Sequence, residues 1–205
     1  MKMEKEVKTH SIIDYLAFFV SAILSPYITA TVFITVIVYR YSETFAQFLP
    51  WILTFFLFAI LLPGIYVLWL FETRQIKNVH INNIKDRKTP FLLLAFSSAV
   101  GAVLLWLLGA ARPVVVIGVV YAVNATVIAM ITQYWKISVH TAMFSSIATI
   151  TIILFGIQFW WLYLFLIPLT WARITRKRHT IWQAVSGSIL AFFFTALVFW
   201  VFGYL

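Results

Sequence analysis

The longest uncharged run of the chain is residues 141–172, TAMFSSIATITIILFGIQFWWLYLFLIPLTWA. As one α-helix, this run would extend about 48 Å, whereas the hydrocarbon core of a bilayer is about 30 Å thick. The run therefore predicts either one strongly tilted helix or two short helices that reverse direction. Gly156 and Gln158 mark the place where the chain could turn.

Five further uncharged runs have the length of single membrane spans. They cover residues 15–39, 44–71, 91–111, 113–135 and 180–205. Of the 205 residues, 63% are apolar and 10% are charged, which excludes a soluble enzyme, a nucleic-acid-binding module and a secreted disulfide scaffold. We predict an all-α integral membrane protein, with six to seven transmembrane helices in a bundle and a polar site at one membrane interface. Residues 1–205 are predicted to form a single polytopic domain, in which residues 1–10 are a polar N-terminal tail.

Lysine and arginine residues are distributed unequally between the two predicted membrane faces. If the 141–172 run is two helices, the chain has seven spans, and the tail, residues 72–90, 136–140 and 173–179 share one face. That face collects 13 of the 15 Lys and Arg residues, and only Arg40 and Arg112 lie opposite. Because positively charged loops stay inside, we expect this face to be the cytoplasmic face of the cell membrane.

Three of the four histidines also lie in loops of this basic face. His80, His140 and His179 are each near an arginine or lysine, whereas His10 stands apart in the tail. Imidazole exchanges protons near neutral pH and can attack phosphorus. Guanidinium groups offer fixed pairs of donors to phosphate oxygens. The combination is what phosphoryl transfer without a metal requires.

Acidic residues are too few and too scattered for a magnesium site. They are Glu4, Glu6, Asp14, Glu43, Glu72 and Asp86. A magnesium-diphosphate enzyme needs several carboxylates that converge on the ion, so prenyltransferase-like and CDP-alcohol-transferase-like functions are disfavoured. The chain has no cysteine, which removes thiolate metal sites and thiol nucleophiles. We expect no metal and no cofactor.

Three segments of the basic face carry ordered motifs. Residues 173–183 read RITRKRHTIWQ, residues 137–140 read ISVH, and six residues separate His80 from Arg87. These segments resemble, in order, the third (SRxxxxxHxxxD), second (PSGH) and first (KxxxxxxRP) motifs of the type 2 phosphatidic acid phosphatase superfamily, with the proline of the first motif delayed to Pro90. The motif-bearing core covers about residues 78–190, roughly half of the chain.

The resemblance implies a role for each matching position. It makes His179 the nucleophile and His140 the general acid. The phosphate-binding residues would be Arg87, Arg173 and Ser138 from the motifs, together with Lys136, Lys88 and His80. The implied activity is that of a metal-independent phosphohydrolase, which hydrolyses a lipid or prenyl phosphate through a phosphohistidine intermediate. The expected partners are that phospholipid or prenyl phosphate substrate and the bilayer, and no nucleic acid.

The sequence departs from the family pattern at three positions. Gln183 stands where the family has an aspartate behind the nucleophile, Ala172 replaces the motif serine, and His80 replaces the motif lysine. A glutamine can accept a hydrogen bond from imidazole, but it does not stabilise an imidazolium as a carboxylate does. Asp14 or Asp86 could supply the missing carboxylate, and Lys85 or Lys88 the missing positive charge.

Several functions therefore stay open at the level of sequence. The chain could be a slow phosphatase, a phosphotransferase, or a catalytically degenerate relative that binds lipid headgroups. The alternative from another class is a small multi-pass transporter or channel. Against it, no ionisable residue lies in the middle of a span, where proton and ion pathways usually place some.

Overall fold

The computed structural model describes residues 11–76 and 86–205, and within them the fold is an all-α bundle. Nine α-helices are present in this part of the chain: α1 (Ile12–Ile23), α2 (Pro26–Tyr41), α3 (Phe45–Phe55), α4 (Leu62–Glu72), α5 (Lys88–Leu107), α6 (Arg112–Ile131), α7 (Val139–Phe155), α8 (Leu166–Thr175) and α9 (Ile181–Val201). A π-helical stretch, Phe56–Leu61, joins α3 to α4, and a 3₁₀-helix, Ile157–Phe165, precedes α8.

The predicted membrane-spanning character is confirmed. Within the described residues, six helical segments are long and apolar enough to cross a bilayer: Ile12–Tyr41, Phe45–Glu72, Lys88–Leu107, Arg112–Ile131, Ile157–Thr175 and Ile181–Val201. The seventh, α7, is a shorter apolar helix. The protein is therefore a multi-pass membrane protein of the predicted class.

The break in the longest uncharged run is also confirmed. α7 ends at Gly156, whose φ of 106° is a conformation that favours glycine. The following 3₁₀-helix and α8 pack back against α7. The alternative of one tilted helix is wrong, because the chain reverses here. As a result, the start of α7 and the end of α8 lie at the same end of the bundle.

Close helix packing holds this arrangement together. α5 lies along α6, and α7 lies along α9. Gly187 of α9 lies directly against the start of α7, where an added Cβ would stand 2.7 Å from the Ser138 carbonyl oxygen. Between α6 and α9, the Asn124 amide donates to the Thr195 hydroxyl at 3.1 Å, so this amide joins two helices.

The first span is not continuous, because the chain breaks between α1 and α2. Ser25 caps α2 and Pro26 occupies its first turn. The backbone N–H groups of a first turn have no acceptor within the helix, so the missing N–H of proline costs no hydrogen bond there. α1 then packs chiefly against α8. The break therefore brings the start of α2 and the end of α8 to the same end of the bundle.

Candidate functional site

A cavity of about 210 Å³ opens at the basic end of the bundle. Its outer part is lined by the basic side chains of Arg87, Lys136, His140, Arg173, Arg178 and His179. Its inner part is lined by apolar and aromatic residues of α2, α4, α5, α6 and α7 and by the π-helical stretch. The cavity thus joins a cationic mouth to an apolar interior.

Two buried arginines from different helices form one wall of the mouth. Arg87 precedes α5 and donates from Nη1 to the Ile137 carbonyl oxygen at 3.2 Å. Arg173 of α8 donates from Nη1 to the Ser21 hydroxyl at 2.8 Å. In both side chains, Nε is buried without a hydrogen-bond partner among the described residues. Buried donors of this kind are satisfied when an anion supplies the acceptors.

His179 lies between α8 and α9 and is held by Gln183. Its Nδ1 is 3.3 Å from the Gln183 Oε1. That oxygen also accepts a hydrogen bond from the Thr180 backbone N–H at 3.1 Å, as part of the capping box that begins α9. Because Oε1 is the acceptor end of the amide, Nδ1 carries the imidazole proton and Nε2 keeps its lone pair.

The surroundings of His179 keep this ring neutral. Burial lowers the pKa of His179 to about 3, and the positive charges of Arg173, Lys136 and Arg87 act in the same direction. The hydrogen bond with Gln183 acts in the opposite direction. An unprotonated imidazole at neutral pH is the form that can act as a nucleophile.

The basic groups also lower one another's affinity for protons. Burial, followed by the charges of Arg87, Arg178 and Arg173, lowers the pKa of Lys136. Burial alone lowers the pKa of Arg87 to about 10. Arg87 therefore remains positively charged at neutral pH and contributes to a positive potential at the mouth.

The start of α7 provides the other wall. His140 lies in the first turn of α7 and lines the cavity. Ser138 is the N-cap residue, but its hydroxyl makes no capping bond and is buried without a partner among the described residues. This loop is tied to the start of α9, because the Ser138 N–H donates to the Gln183 carbonyl at 3.1 Å and the Thr141 hydroxyl donates to the Ala184 carbonyl at 2.8 Å.

Most of the site residues expected from sequence come together in this arrangement, but not all of them do. Lys88 is exposed and does not line the cavity, although it follows Arg87 directly. Asp14 binds Ser11 and caps α1, so its carboxylate serves a helix end. His80 and Lys85 lie outside the described residues.

Some residues of the site were not predicted as such. Ser21 gave no signal in the sequence, because a single serine in an apolar run is ordinary, and yet it binds Arg173. Tyr27 and Tyr121 lie on the cavity wall from α2 and α6. Arg178 also lines the cavity, at its basic mouth.

No protein-family model, curated protein or solved structure matches the chain.

Proposed function

We propose that the protein is a membrane phosphohydrolase that acts on an amphiphilic phosphate, a phosphatidate-like or prenyl phosphate, through a phosphohistidine intermediate. The observation that carries the proposal is the convergence of His140, His179, Arg87 and Arg173 on one cavity from three separated parts of the chain. The apolar interior of the same cavity supports a substrate with a hydrocarbon chain.

In the proposed first step, Nε2 of His179 attacks phosphorus and the bond from phosphorus to the lipid oxygen breaks. His140 donates a proton to the departing oxygen, which would otherwise leave as an unstable alkoxide. In the second step, His140 accepts a proton from water as that water attacks the phosphohistidine. Inorganic phosphate is released and His179 returns to its neutral form.

The cations have a distinct part in this mechanism. Negative charge spreads over the nonbridging oxygens of the phosphoryl group during transfer, and preorganised donors in a site of low polarity stabilise it strongly. Arg87 and Arg173 are already held by protein acceptors, so they do not need to reorient when the substrate arrives. The Ser138 hydroxyl is buried beside His140 and does not line the cavity, so it has no part in this step.

Gln183 favours an active enzyme over a degenerate relative. In the phosphatase motif, an aspartate at this position orients the nucleophilic histidine. Gln183 Oε1 can orient His179 in the same way, since it accepts a hydrogen bond from Nδ1–H and directs Nε2 away from α9. A neutral amide does not stabilise a positively charged imidazole as a carboxylate does, which lowers the rate of phosphoryl transfer without abolishing it.

We also propose that hydrolysis takes place at the cytoplasmic leaflet, since the cationic mouth lies on the face that carries most of the basic loops. With seven crossings, the C-terminus then lies on the opposite side. A reporter fused after Leu205 should report the non-cytoplasmic side, and a cytoplasmic signal would contradict this orientation.

The function is tested with purified protein in detergent and EDTA. Phosphatidate, phosphatidylglycerophosphate and undecaprenyl diphosphate are offered in parallel, and released phosphate is measured. We expect hydrolysis of at least one lipid by the unaltered protein and none by His179→Ala. Arg40→Ala, which removes an arginine from the opposite end of the bundle, is the matched control and should retain full activity. Full activity of His179→Ala would reject the mechanism.

A further inference from the structure

Tyr121 and Ala59 form the inner end of the cavity, and we infer that they set the length of the apolar chain that this cavity accepts. This inference rests on the proposed function, because it concerns the hydrocarbon part of the same phosphate substrate. It assigns a specificity-determining role to two residues that lie far from the chemistry.

The depth of the cavity follows from helix geometry. Tyr121 lies ten residues before Ile131, where α6 ends near the basic mouth, which corresponds to about 15 Å along the helix. Ala59, in the π-helical stretch, lies thirteen residues before the end of α4 at Glu72, which corresponds to about 20 Å. The cavity therefore reaches the middle of a hydrocarbon core that is about 30 Å thick.

The cavity wall between the cationic mouth and the inner end fits a hydrocarbon chain. It is formed by side chains of the core-facing parts of five elements, among them Ala30, Ile60, Val67, Leu94 and Met143. Positive charge is confined to the outer part, so only one end of a ligand meets cations. A phosphate with one apolar chain matches this distribution, because its charge stays at the mouth and its chain fills the interior.

Tyr121 closes the inner end. The ring is almost fully buried, at 6% exposed, and is held edge-on against Phe55, with 6.5 Å between the ring centroids. Beyond it lies a second cavity of only about 10 Å³, and Tyr121 and Ala59 are the two residues that line both. These two side chains therefore form the partition between them.

The packing behind the partition is close. An added Cβ at Gly101 would stand 2.8 Å from Cβ of Phe58, and one at Gly118 would stand 2.9 Å from Cβ of Ala102. The backbone of α5 therefore lies close to Phe58 of the π-helical stretch at Gly101, and α6 lies close to α5 at Gly118. A smaller side chain at position 121 would join the two cavities, and a larger one at position 59 would shorten the first.

The experiment uses a series of non-hydrolysable alkyl phosphonates with chains of increasing length. Each displaces a radiolabelled short-chain phosphonate from the purified protein, and its affinity is referred to its free concentration in water. For the unaltered protein, affinity should rise by about fourfold per methylene until the chain reaches Tyr121, and then level off. The chain length at this plateau is the measured quantity.

The two substitutions should move the plateau in opposite directions. Tyr121→Ala should move it to longer chains, and Ala59→Leu should move it to shorter ones. Tyr121→Phe keeps the ring and should leave it unchanged. Tyr134→Ala, at a position 87% exposed and outside the cavity, is the matched tyrosine control. A general loss of stability cannot move the plateau to longer chains in one variant and to shorter chains in the other. Opposite shifts therefore show that positions 121 and 59 limit the chain length and that the fold is not simply damaged.

The outcomes distinguish this inference from the proposed function. If no phosphonate displaces the labelled ligand from the unaltered protein, the proposed function fails. If displacement occurs but the plateau stays in place in Ala59→Leu or Tyr121→Ala, the site binds phosphonates and the role of the partition is rejected. An equal shift in Tyr121→Phe and Tyr121→Ala would also reject it, because the ring would then not be the barrier.

Discussion

The imidazole of His179 and the amide of Gln183 form one hydrogen-bonded unit, with 3.3 Å between Nδ1 and Oε1. The same amide oxygen caps α9 through the Thr180 N–H. A residue that begins a helix therefore also determines which imidazole nitrogen carries the proton. This dual use makes position 183 the most informative one to change.

Gln183→Asp should leave hydrolysis at pH 7 unchanged or raise it. Aspartate can act in a capping box in this chain, because Asp14 does so with Ser11 in α1. A carboxylate beside the imidazole favours its charged form, so the pKa of His179 should rise from about 3. Since the nucleophile must be neutral, the acidic limb of the kcat/KM profile should move to higher pH. An unmoved acidic limb together with lower activity would argue against the pairing.

His140→Ala should discriminate between leaving groups. A lipid alkoxide needs a proton, whereas p-nitrophenolate leaves almost unaided. The loss in kcat/KM should be on the order of 10²–10⁴-fold for a lipid monophosphate and much smaller for p-nitrophenyl phosphate. His10→Ala, in the N-terminal tail, is the control and should change neither rate. Equal losses on both substrates would reject the acid role.

Single cysteines can map the membrane sides directly, because the chain contains no cysteine of its own. Exposed positions lie before α7 at Tyr134, after the break at Ile157 and after α8 at Lys177. In sealed vesicles, a membrane-impermeant thiol reagent should label positions 134 and 177 from one side and position 157 from the other. Labelling of positions 134 and 177 from opposite sides would show that His140 and His179 lie on opposite sides of the membrane. That result would reject the phosphatase interpretation.

Gly187→Ala should lower the melting temperature. The new methyl group would stand 2.7 Å from the Ser138 carbonyl oxygen and 2.9 Å from Cγ2 of Ile137, and such overpacking typically costs about 1–3 kcal/mol. Gly64→Ala is the matched control, because nothing lies within 4 Å of its added Cβ and alanine favours the helix. Its melting temperature should be equal or higher. Equal melting temperatures for both variants would contradict the close contact of α9 with the start of α7.

The membrane architecture was predictable because it depends on length and hydropathy. Spans are defined by about 20 apolar residues, and a long run such as 141–172 has to break where a glycine permits it. Gly156 satisfies that condition in the structure. The break after Leu24 was less evident, because Pro26 within an apolar run is equally consistent with a kinked continuous helix.

The sequence predicts only those residues of the candidate site that lie in loops at the ends of membrane spans. His140, His179 and Arg173 stand beside span ends, so one assumption about topology places them together. The bond from Arg173 to Ser21 joins residues 152 positions apart, and no local pattern indicates it. Tyr121 lies ten residues inside a largely apolar span, and no feature of the sequence indicates that its ring borders a cavity.

The bonds between the start of α7 and the start of α9 have a consequence for the energetics of any reaction at the mouth. The Ser138 N–H donates to the Gln183 carbonyl oxygen and the Thr141 hydroxyl donates to the Ala184 carbonyl oxygen, so the two segments are held together. One segment carries His140 and the other carries His179. Their separation is therefore part of the folded structure before any phosphate arrives, and the entropy of aligning the two imidazoles is lost during folding and not during binding.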